Sequence, residues 1–201
     1  MKTKLFFIIA ACFFMLIQKS FAQKTDLSVF SIQRPYNHTS TNLVWFTHSA
    51  PKYFLEVRAN FDWNNTVGIY AGKTFGTDTF WIIPEIGGLF GTYKGFGPEV
   101  LLGGKYKRIK YFSFNQFVKN VNNLTDFFFQ YAEIMVVASK HLALGGGVQT
   151  YLETTVKSDA YTDIGPVVKF SFSSFYIKPW YTFDPGHEEI KKIIVGLGYV
   201  F

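Results

Sequence analysis

The chain has 201 residues, a formal net charge of +6, 48% hydrophobic residues and a single cysteine, Cys12. Cys12 lies in the N-terminal leader described next, so the rest of the chain has no cysteine, which excludes disulfides, thiolate chemistry and cysteine-based metal sites. Lys2, Lys4 and Lys19 of the leader contribute three of the six net charges. The remainder is too small to indicate a nucleic-acid partner.

Residues 1–22 have the pattern of a secretory signal peptide. Lys2 and Lys4 precede an apolar run from Leu5 to Ile17, and Ser20-Phe21-Ala22 is a small-x-small cleavage pattern. The apolar run is too short for a spanning helix, which needs about 20 residues. We therefore expect cleavage near Ala22. A lipoprotein signal ending at Cys12 is the less favoured alternative, because the apolar run continues past it.

Residues 23–51 carry a weaker pattern. Two short stretches, Asp26–Gln33 and Asn42–Ser49, have extended character, and the polar stretch Arg34–Thr41 separates them. We interpret residues 23–51 as an N-terminal arm or plug. An extra hairpin is the alternative, and it would add two strands to the number predicted below.

From Lys52 onward, apolar and polar residues alternate regularly, as in strands with one apolar face. In the first strand Tyr53 and Leu55 share one face, whereas Glu56 and Arg58 share the other. The pattern predicts ten strands, at Lys52–Trp63, Thr66–Phe75, Thr79–Phe90, Phe96–Lys107, Lys110–Val118, Thr125–Ala138, Leu142–Leu152, Tyr161–Phe172, Phe175–Phe183 and Ile190–Phe201. Proline cannot donate to a β-ladder, so we expect bulges at four prolines inside these strands: Pro84, Pro98, Pro166 and Pro179.

The connections between the predicted strands alternate in length. Tight connections fall at residues 76–78, 108–109, 139–141 and 173–174, and longer polar ones at residues 91–95, 119–124, 153–160 and 184–189. Membrane barrels of bacteria have short turns on the periplasmic side and long loops outside. An even strand number also places both ends of the barrel on one side of the membrane.

The last nine residues, IIVGLGYVF, form a strand with one bulky apolar face and one face of mostly small residues. The strand ends on the aromatic Phe201. In this respect, and in the stretches FLEVRANFDWNNT (residues 54–66) and IYAGKTFG (residues 69–76), the chain resembles small Gram-negative outer-membrane β-barrel proteins of the porin-like or OmpX-like class. These features are architectural, so the resemblance carries over a fold and a location but no catalytic residue.

We predict an all-β fold, a closed antiparallel transmembrane β-barrel of meander topology with ten strands; eight and twelve strands are the alternatives. The barrel would comprise residues 52–201, with residues 23–51 in the periplasm. A soluble β-sandwich is a competing fold, but its apolar face would meet a second sheet, and so many outward Phe and Tyr side chains would be unnecessary.

The resemblance implies the outer membrane of a Gram-negative bacterium as the location. It implies contact with outer-membrane lipid, and recognition of the C-terminal strand by the barrel-assembly machinery through Phe201. We expect a monomer, no nucleic-acid partner and no cofactor.

Continuing the alternation inward gives a set of charged residues that would line the lumen. They are Glu56, Arg58, Glu85, Glu99, Lys105, Glu133, Lys169 and Lys178. A desolvated charge is costly unless it is paired, so we expect these groups to pair across the interior and stabilise the wall. A polar lumen that conducts ions is the alternative. Either register of the strand containing Glu133 turns one polar residue outward.

Catalytic chemistry is not indicated. His187 lies among carboxylates in Asp184-Pro185-Gly186-His187-Glu188-Glu189, which we interpret as a solvated outer loop, and we predict no catalytic residue and no metal site. The predicted function is a non-enzymatic outer-membrane barrel, either a narrow channel for small solutes or ions or a structural barrel with surface loops. A barrel-embedded lipid or peptide hydrolase acting at the outer leaflet is the alternative.

Overall fold

The structure, a computed structural model, describes residues 24–34, 39–59, 65–121, 125–154 and 160–201, with the backbone alone at residues 34, 39 and 187–191. The predicted signal peptide lies outside the described residues. No helix in these ranges is long and apolar enough to cross a membrane. The described strands are β1 (Lys24–Arg34), β2 (Thr39–Ser49), β3 (Phe54–Ala59), β4 (Thr66–Gly72), β5 (Phe75–Gly76), β6 (Trp81–Gly91), β7 (Gly95–Tyr106), β8 (Ile109–Asn120), β9 (Phe127–Val137), β10 (Leu142–Glu153), β11 (Ala160–Phe172), β12 (Phe175–Asp184) and β13 (His187–Val200).

The strands form one antiparallel sheet that closes on itself. Neighbours in sequence pair with each other, except that β4 and β5 both pair with β6. β1 also pairs with β13, from Asp26 opposite Val200 to Gln33 opposite Ile193. The two-residue strand β5 continues β4, since both pair with β6 in one register. Gly72 of β4 lies opposite Glu85 of β6, and Phe75 of β5 lies opposite Ile82 of β6. The result is a closed meander barrel with a wall of twelve strands. The predicted class of fold, a closed antiparallel β-barrel of meander topology, is confirmed.

The prediction of ten strands is wrong, and the alternative of twelve is correct. The two additional strands are β1 and β2, which pair along their whole length from Lys24 opposite Ser49 to Arg34 opposite Thr39. Their alternation is weak because polar residues lie on both faces. In β1 the apolar Phe30 and Ile32 pack toward the interior, while Ser31 lies on the outer face.

The expected bulges at the four prolines are also wrong. The pairing register is unchanged past each proline, for example from Trp81 opposite Gly103 to Leu89 opposite Gly95 around Pro84 and Pro98. One register shift occurs among the described pairs of β12 and β13, between Phe183 and Asp184. A proline removes a single ladder bond, and the pairs on either side of it are sufficient to hold the register.

Short connections lie at the end of the barrel where β1 begins and β13 ends. The two-residue turns at Lys107-Arg108 and Ser173-Ser174 belong to this end, and both begin with a residue in the left-handed region, with φ of 54° at Lys107 and at Ser173. The connections at the opposite end include the longer residues 121–126 and 154–159. The predicted alternation of connection length is therefore retained only in part. The longer connection predicted at residues 184–189 is wrong, because β12 ends at Asp184 and β13 begins at His187, which leaves the two-residue turn Pro185-Gly186. We refer to the first of these ends as the short-turn end.

Side chains alternate between an exposed apolar outer surface and a buried interior. Ile86 is 71% exposed and Ile134 58% exposed on the outside. Inside, three clusters of buried hydrophobic residues pack the barrel; they include Tyr70, Val167 and Phe114, each with no exposed surface.

Candidate functional site

Three glutamates and one arginine are buried together in the barrel interior. Glu56 and Arg58 come from β3, Glu85 from β6 and Glu99 from β7, and none is more than 5% exposed. Residues two apart on a strand point to the same side, so Glu56 and Arg58 both face inward. Arg58 Nε lies 2.7 Å from Glu56 Oε1, and Arg58 Nη2 lies 2.5 Å from Glu99 Oε2. We call these four residues the Arg58 cluster.

The Arg58 guanidinium is also held between two aromatic rings. It lies 4.6 Å from the centroid of Tyr70 and 4.7 Å from that of Phe114, distances at which a cation is attracted to the ring face. Gln116 Nε2 donates to the Tyr70 hydroxyl at 2.6 Å. Since Phe114 is on β8, and three strands separate β8 from β3 in the wall, these contacts cross the interior.

A second charged group lies nearer the short-turn end. Lys178 Nζ on β12 is 3.0 Å from Glu133 Oε2 on β9, and the Tyr131 hydroxyl donates a short hydrogen bond to the same carboxylate. Lys169 Nζ lies 3.8 Å from the centroid of the Tyr176 ring. The predicted residues Glu133, Lys169 and Lys178 are thus brought together on one part of the inner wall, with Glu133 facing inward.

Lys105 was also predicted to line the lumen, but the structure places it neither in the Arg58 cluster nor with Glu133, Lys169 and Lys178. It is on the same face of β7 as Gly103 but near the end of the strand, where its side chain is exposed. Phe201 follows β13; its backbone N–H donates to the Thr25 carbonyl at 2.9 Å, and its ring meets that of Tyr199 at 4.5 Å. The terminal aromatic residue is therefore tied to the seam between the first and last strands.

One buried ion pair was missed by the sequence analysis. Lys192 Nζ on β13 lies 2.6 Å from Asp163 Oδ2 on β11, and the two side chains are 8% and 0% exposed. Asp163 shares its face with Gly165 and Val167, and Lys192 shares its face with Ile194. The alternation that predicted Lys169 to face the interior would also have predicted Asp163 and Lys192 to do so.

A cavity of about 610 Å³ opens at the short-turn end. Its wall includes the start of β1 at Lys24, the end of β2 at Ser49 and the β9–β10 turn at Lys140. Five lysines and three acidic residues line it: Lys24, Lys110, Lys140, Lys169, Lys178, Asp26, Asp78 and Glu133. We call this cavity the vestibule.

An aromatic layer lies where the vestibule meets the middle of the barrel. The Trp45 ring contacts Phe112 at a centroid distance of 6.1 Å and Phe114 at 5.7 Å. Phe114 also meets Phe129 at 5.6 Å, and Phe112 meets Tyr131 at 6.1 Å. Trp45 and Phe112 line the vestibule, whereas Phe114 behind them has no exposed surface.

The described histidines are not arranged with an acid as a catalytic pair. His48 Nδ1 is 2.9 Å from the Thr25 hydroxyl, and His141 Nδ1 is 2.8 Å from the Ser171 carbonyl. The side chain of His187, on which the alternative of a barrel enzyme depended, lies outside the described side chains.

No protein-family model matches the chain, and no curated protein matches it in sequence. Its structure is similar to solved structures of porins. The NanC porin is 12% identical with a TM-score of 0.63, and the match covers 87% of this chain and 98% of that one. The KdgM porin is 11% identical with a TM-score of 0.64, and its complex with disordered oligogalacturonate is 11% identical with a TM-score of 0.65; each match covers 88% of this chain and 99% of the porin. The predicted resemblance to porin-like outer-membrane barrels is confirmed at the level of fold.

Proposed function

We propose that the protein is a non-enzymatic outer-membrane barrel whose lumen is a narrow channel for small solutes. The outer surface supports a membrane location, because side chains as apolar and exposed as Ile86, Phe96 and Ile134 surround a closed sheet. Exposed apolar area on this scale is unfavourable in water and is what lipid-facing strands require. The signal-peptide pattern of residues 1–22 supports export.

The orientation follows from the connections. The short-turn end would face the periplasm and the longer connections would face outward, as in other bacterial membrane barrels. Both ends of the wall then lie in the periplasm, and Phe201 would be presented there to the barrel-assembly machinery. We propose a monomer, with outer-membrane lipid as its surrounding partner and cleavage of the leader near Ala22.

The vestibule is the observation that carries the proposal of a channel. A lumen closed throughout by packed side chains would have no room for a solute, whereas this cavity of about 610 Å³ could hold a small one. Its lining is mixed in charge, with lysines in excess over acidic residues. We therefore propose that small anionic solutes are favoured over cations.

The aromatic layer explains why such a channel would be narrow. Trp45 and Phe112 lie at the inner end of the vestibule, and Phe114 behind them is completely buried. A solute that passes must displace these rings. We therefore expect conduction to be intermittent, with the rings blocking the channel for part of the time.

Single-channel recording from the refolded mature chain in a planar bilayer tests the proposal. We expect discrete conductance steps with a preference for anions, and we expect Lys178→Gln to reduce that preference because it removes one lysine from the vestibule. Oligogalacturonate, which the KdgM porin was solved with, is a suitable anionic probe and should block the current. A barrel that is folded but electrically silent in all conditions would overturn the proposal in favour of a structural barrel.

A further inference from the structure

Two lysines face each other on one wall of the vestibule. Lys169 on β11 and Lys178 on β12 both line the cavity, and we call them the lysine pair. The register of the two strands, with Phe170 opposite Ile177, places these lysines directly across from each other. Like charges directly opposite each other destabilise a sheet. Lys178 pairs with Glu133 at 3.0 Å, and an anion bound to both lysines would reduce the repulsion that remains.

Lys169 is the member of the lysine pair that lacks a carboxylate partner. Among the described residues, no carboxylate forms an ion pair with it. Its Nζ lies 3.8 Å from the centroid of the Tyr176 ring. Asp26, an acidic residue of the vestibule, instead accepts hydrogen bonds from the hydroxyl of Ser28 at 2.6 Å and that of Tyr176 at 3.4 Å. Lys169 can therefore donate to an anionic ligand that enters the cavity.

Trp81 of β6 extends the aromatic layer along the wall on the other side of the lumen. Its ring meets that of Phe112 at a centroid distance of 6.2 Å, and both rings line the vestibule together with Trp45. The indole of Trp81 lies over Gly103 of β7, where a Cβ would come within 2.3 Å of Trp81 Cζ2. A side chain at position 103 would displace this ring. The glycine thus leaves the place on the wall that the indole occupies.

Phe30 connects the aromatic rings to the lysine pair. Its ring meets that of Trp45 at a centroid distance of 6.4 Å, and its centroid lies 5.8 Å from Lys178 Nζ. Ligand sites are commonly cavities of about 300–1,000 Å³ with largely apolar walls and a few polar groups that fix orientation. The vestibule, of about 610 Å³, has this size and this division of its lining.

We propose that the vestibule binds aromatic carboxylates, with the carboxylate on the lysine pair and the aromatic body against Trp45, Trp81 and Phe112. This inference rests on the proposed function, of which it names the class of anionic solute. A solute with a polar body would meet the same lysines but would gain nothing from the rings. A neutral aromatic solute would pack on the rings but would leave the lysine pair without an anion.

Calorimetric titration of the refolded mature barrel in detergent, with empty micelles as the blank, tests the class with three probes. 2-Naphthoate carries both the charge and the rings, 2-naphthalenemethanol carries the rings without the charge, and D-galacturonate carries the charge on a polar body. We expect 2-naphthoate to bind at least about tenfold more tightly than either of the others, because it alone makes both kinds of contact.

The wild-type protein alone can overturn the proposal, so it does not depend on the folding of a variant. Equal affinity for D-galacturonate would show that the aromatic rings take no part in recognition. Equal affinity for the alcohol would show that the lysine pair takes no part. Either result, or no heat of binding with any of the three probes, would overturn the proposal.

Lys169→Gln removes the charge of the unpaired lysine and keeps a polar side chain. We expect the affinity for 2-naphthoate to fall about tenfold, as loss of a hydrogen bond between charged groups predicts, with little change for the alcohol. Lys73→Gln is the matched control, because Lys73 is an exposed lysine at the same end of the barrel but lies on the outer face beside Phe75. It should bind 2-naphthoate as the wild type does. If Lys169→Gln is folded, as heat-modifiable migration in gels shows, and binds as tightly as Lys73→Gln, the carboxylate does not lie on the lysine pair and the proposal is wrong.

Binding and conduction fail separately in these experiments. A barrel that binds 2-naphthoate selectively but is electrically silent retains the site and overturns the channel. A barrel that conducts anions but binds the three probes equally retains the channel and overturns the site.

Discussion

Trp45 on β2 and Phe114 on β8 meet edge to face inside the barrel, with ring centroids 5.7 Å apart and planes at 75°. Along the wall, four strands separate β2 from β8 in one direction and six in the other. The contact therefore spans the lumen from wall to wall. Edge-to-face geometry is favourable for aromatic pairs and adds to the gain from burying their area.

Trp45→Ala should open the lumen. The change removes the ring that contacts both Phe112 and Phe114 across the interior, so the vestibule would extend toward the Arg58 cluster. We expect larger and longer conductance steps in planar bilayers. Loss of a large aromatic side chain from a packed interior should also lower the free energy of unfolding by about 3–5 kcal/mol.

Phe96→Ala is the matched control for that experiment. Phe96 is 56% exposed on the outer surface of β7, so its removal leaves the lumen unchanged. Its conductance should equal that of the wild type. If Trp45→Ala is folded and its steps are no larger than those of Phe96→Ala, the aromatic layer does not limit the current.

Lys192→Met should destabilise the barrel strongly. Asp163 has no exposed side-chain surface and lies 2.6 Å from Lys192. Removing one partner of a buried ion pair costs about 3–5 kcal/mol. Urea-induced unfolding in lipid vesicles, followed by tryptophan fluorescence, measures the change.

The double variant Asp163→Asn, Lys192→Met separates loss of the charge pair from loss of packing. In the double variant, Asp163→Asn removes the carboxylate charge that loses its lysine in Lys192→Met, so we expect most of the stability to return. A double variant that is as unstable as Lys192→Met alone would show that the shape of the lysine, rather than its charge, is what the site requires.

The sequence predicts the class of fold and the inward charges because both depend on alternation within a single strand. In β3, apolar Leu55 and Val57 alternate with Glu56 and Arg58, so the face of each residue follows from its neighbours. In the last strand, bulky apolar residues likewise alternate with mostly small ones up to Phe201. Connection length then indicates how the strands are ordered and which end holds the short turns.

Other features could not be predicted because they depend on the closed ring. Which side chains meet across a lumen is set by the strand number and the stagger of the wall, not by the pattern of any one strand. Trp45 was not predicted as part of the lumen, because β2 has polar residues on both faces. Arg58 and Phe114 are 56 residues apart in the chain, and no local pattern relates them.

Ile86→Arg should hinder membrane insertion. Ile86 is 71% exposed and lies at the middle of β6, where the outer surface would face the centre of the bilayer. An arginine on the lipid side costs about 2–4 kcal/mol at the midplane and about 0–1 kcal/mol near the interface. Tyr106→Arg, at the end of β7 and 58% exposed, is the control. Equal folding yields of the two variants in vesicles would contradict a lipid-facing surface at Ile86.

The contact between Asp126 and Lys119 should make the β8–β9 connection sensitive to acid. Lys119 Nζ donates to Asp126 Oδ2 at 2.7 Å, and the Asn120 backbone N–H donates to Asp126 Oδ1 at 2.8 Å. These hydrogen bonds, that from Lys119 first, hold the pKa of the Asp126 carboxyl below its ordinary value. A lowered pKa in the folded state stabilises the fold above the unfolded pKa, and this contribution is lost as the pH falls through the folded pKa.

Lys119→Gln should therefore raise the pKa of Asp126 toward the ordinary carboxyl value. Carboxyl NMR titration of the barrel in micelles measures this, and faster amide exchange at Asn120 below the Asp126 pKa would show that the connection loosens when the carboxylate is protonated. Lys94→Gln is the control, since Lys94 is an exposed lysine in the preceding connection at the same end of the barrel. If both variants leave the titration of Asp126 unchanged, backbone donation from Asn120 alone accounts for the lowered pKa, and the exposed ion pair contributes nothing to the order of this connection.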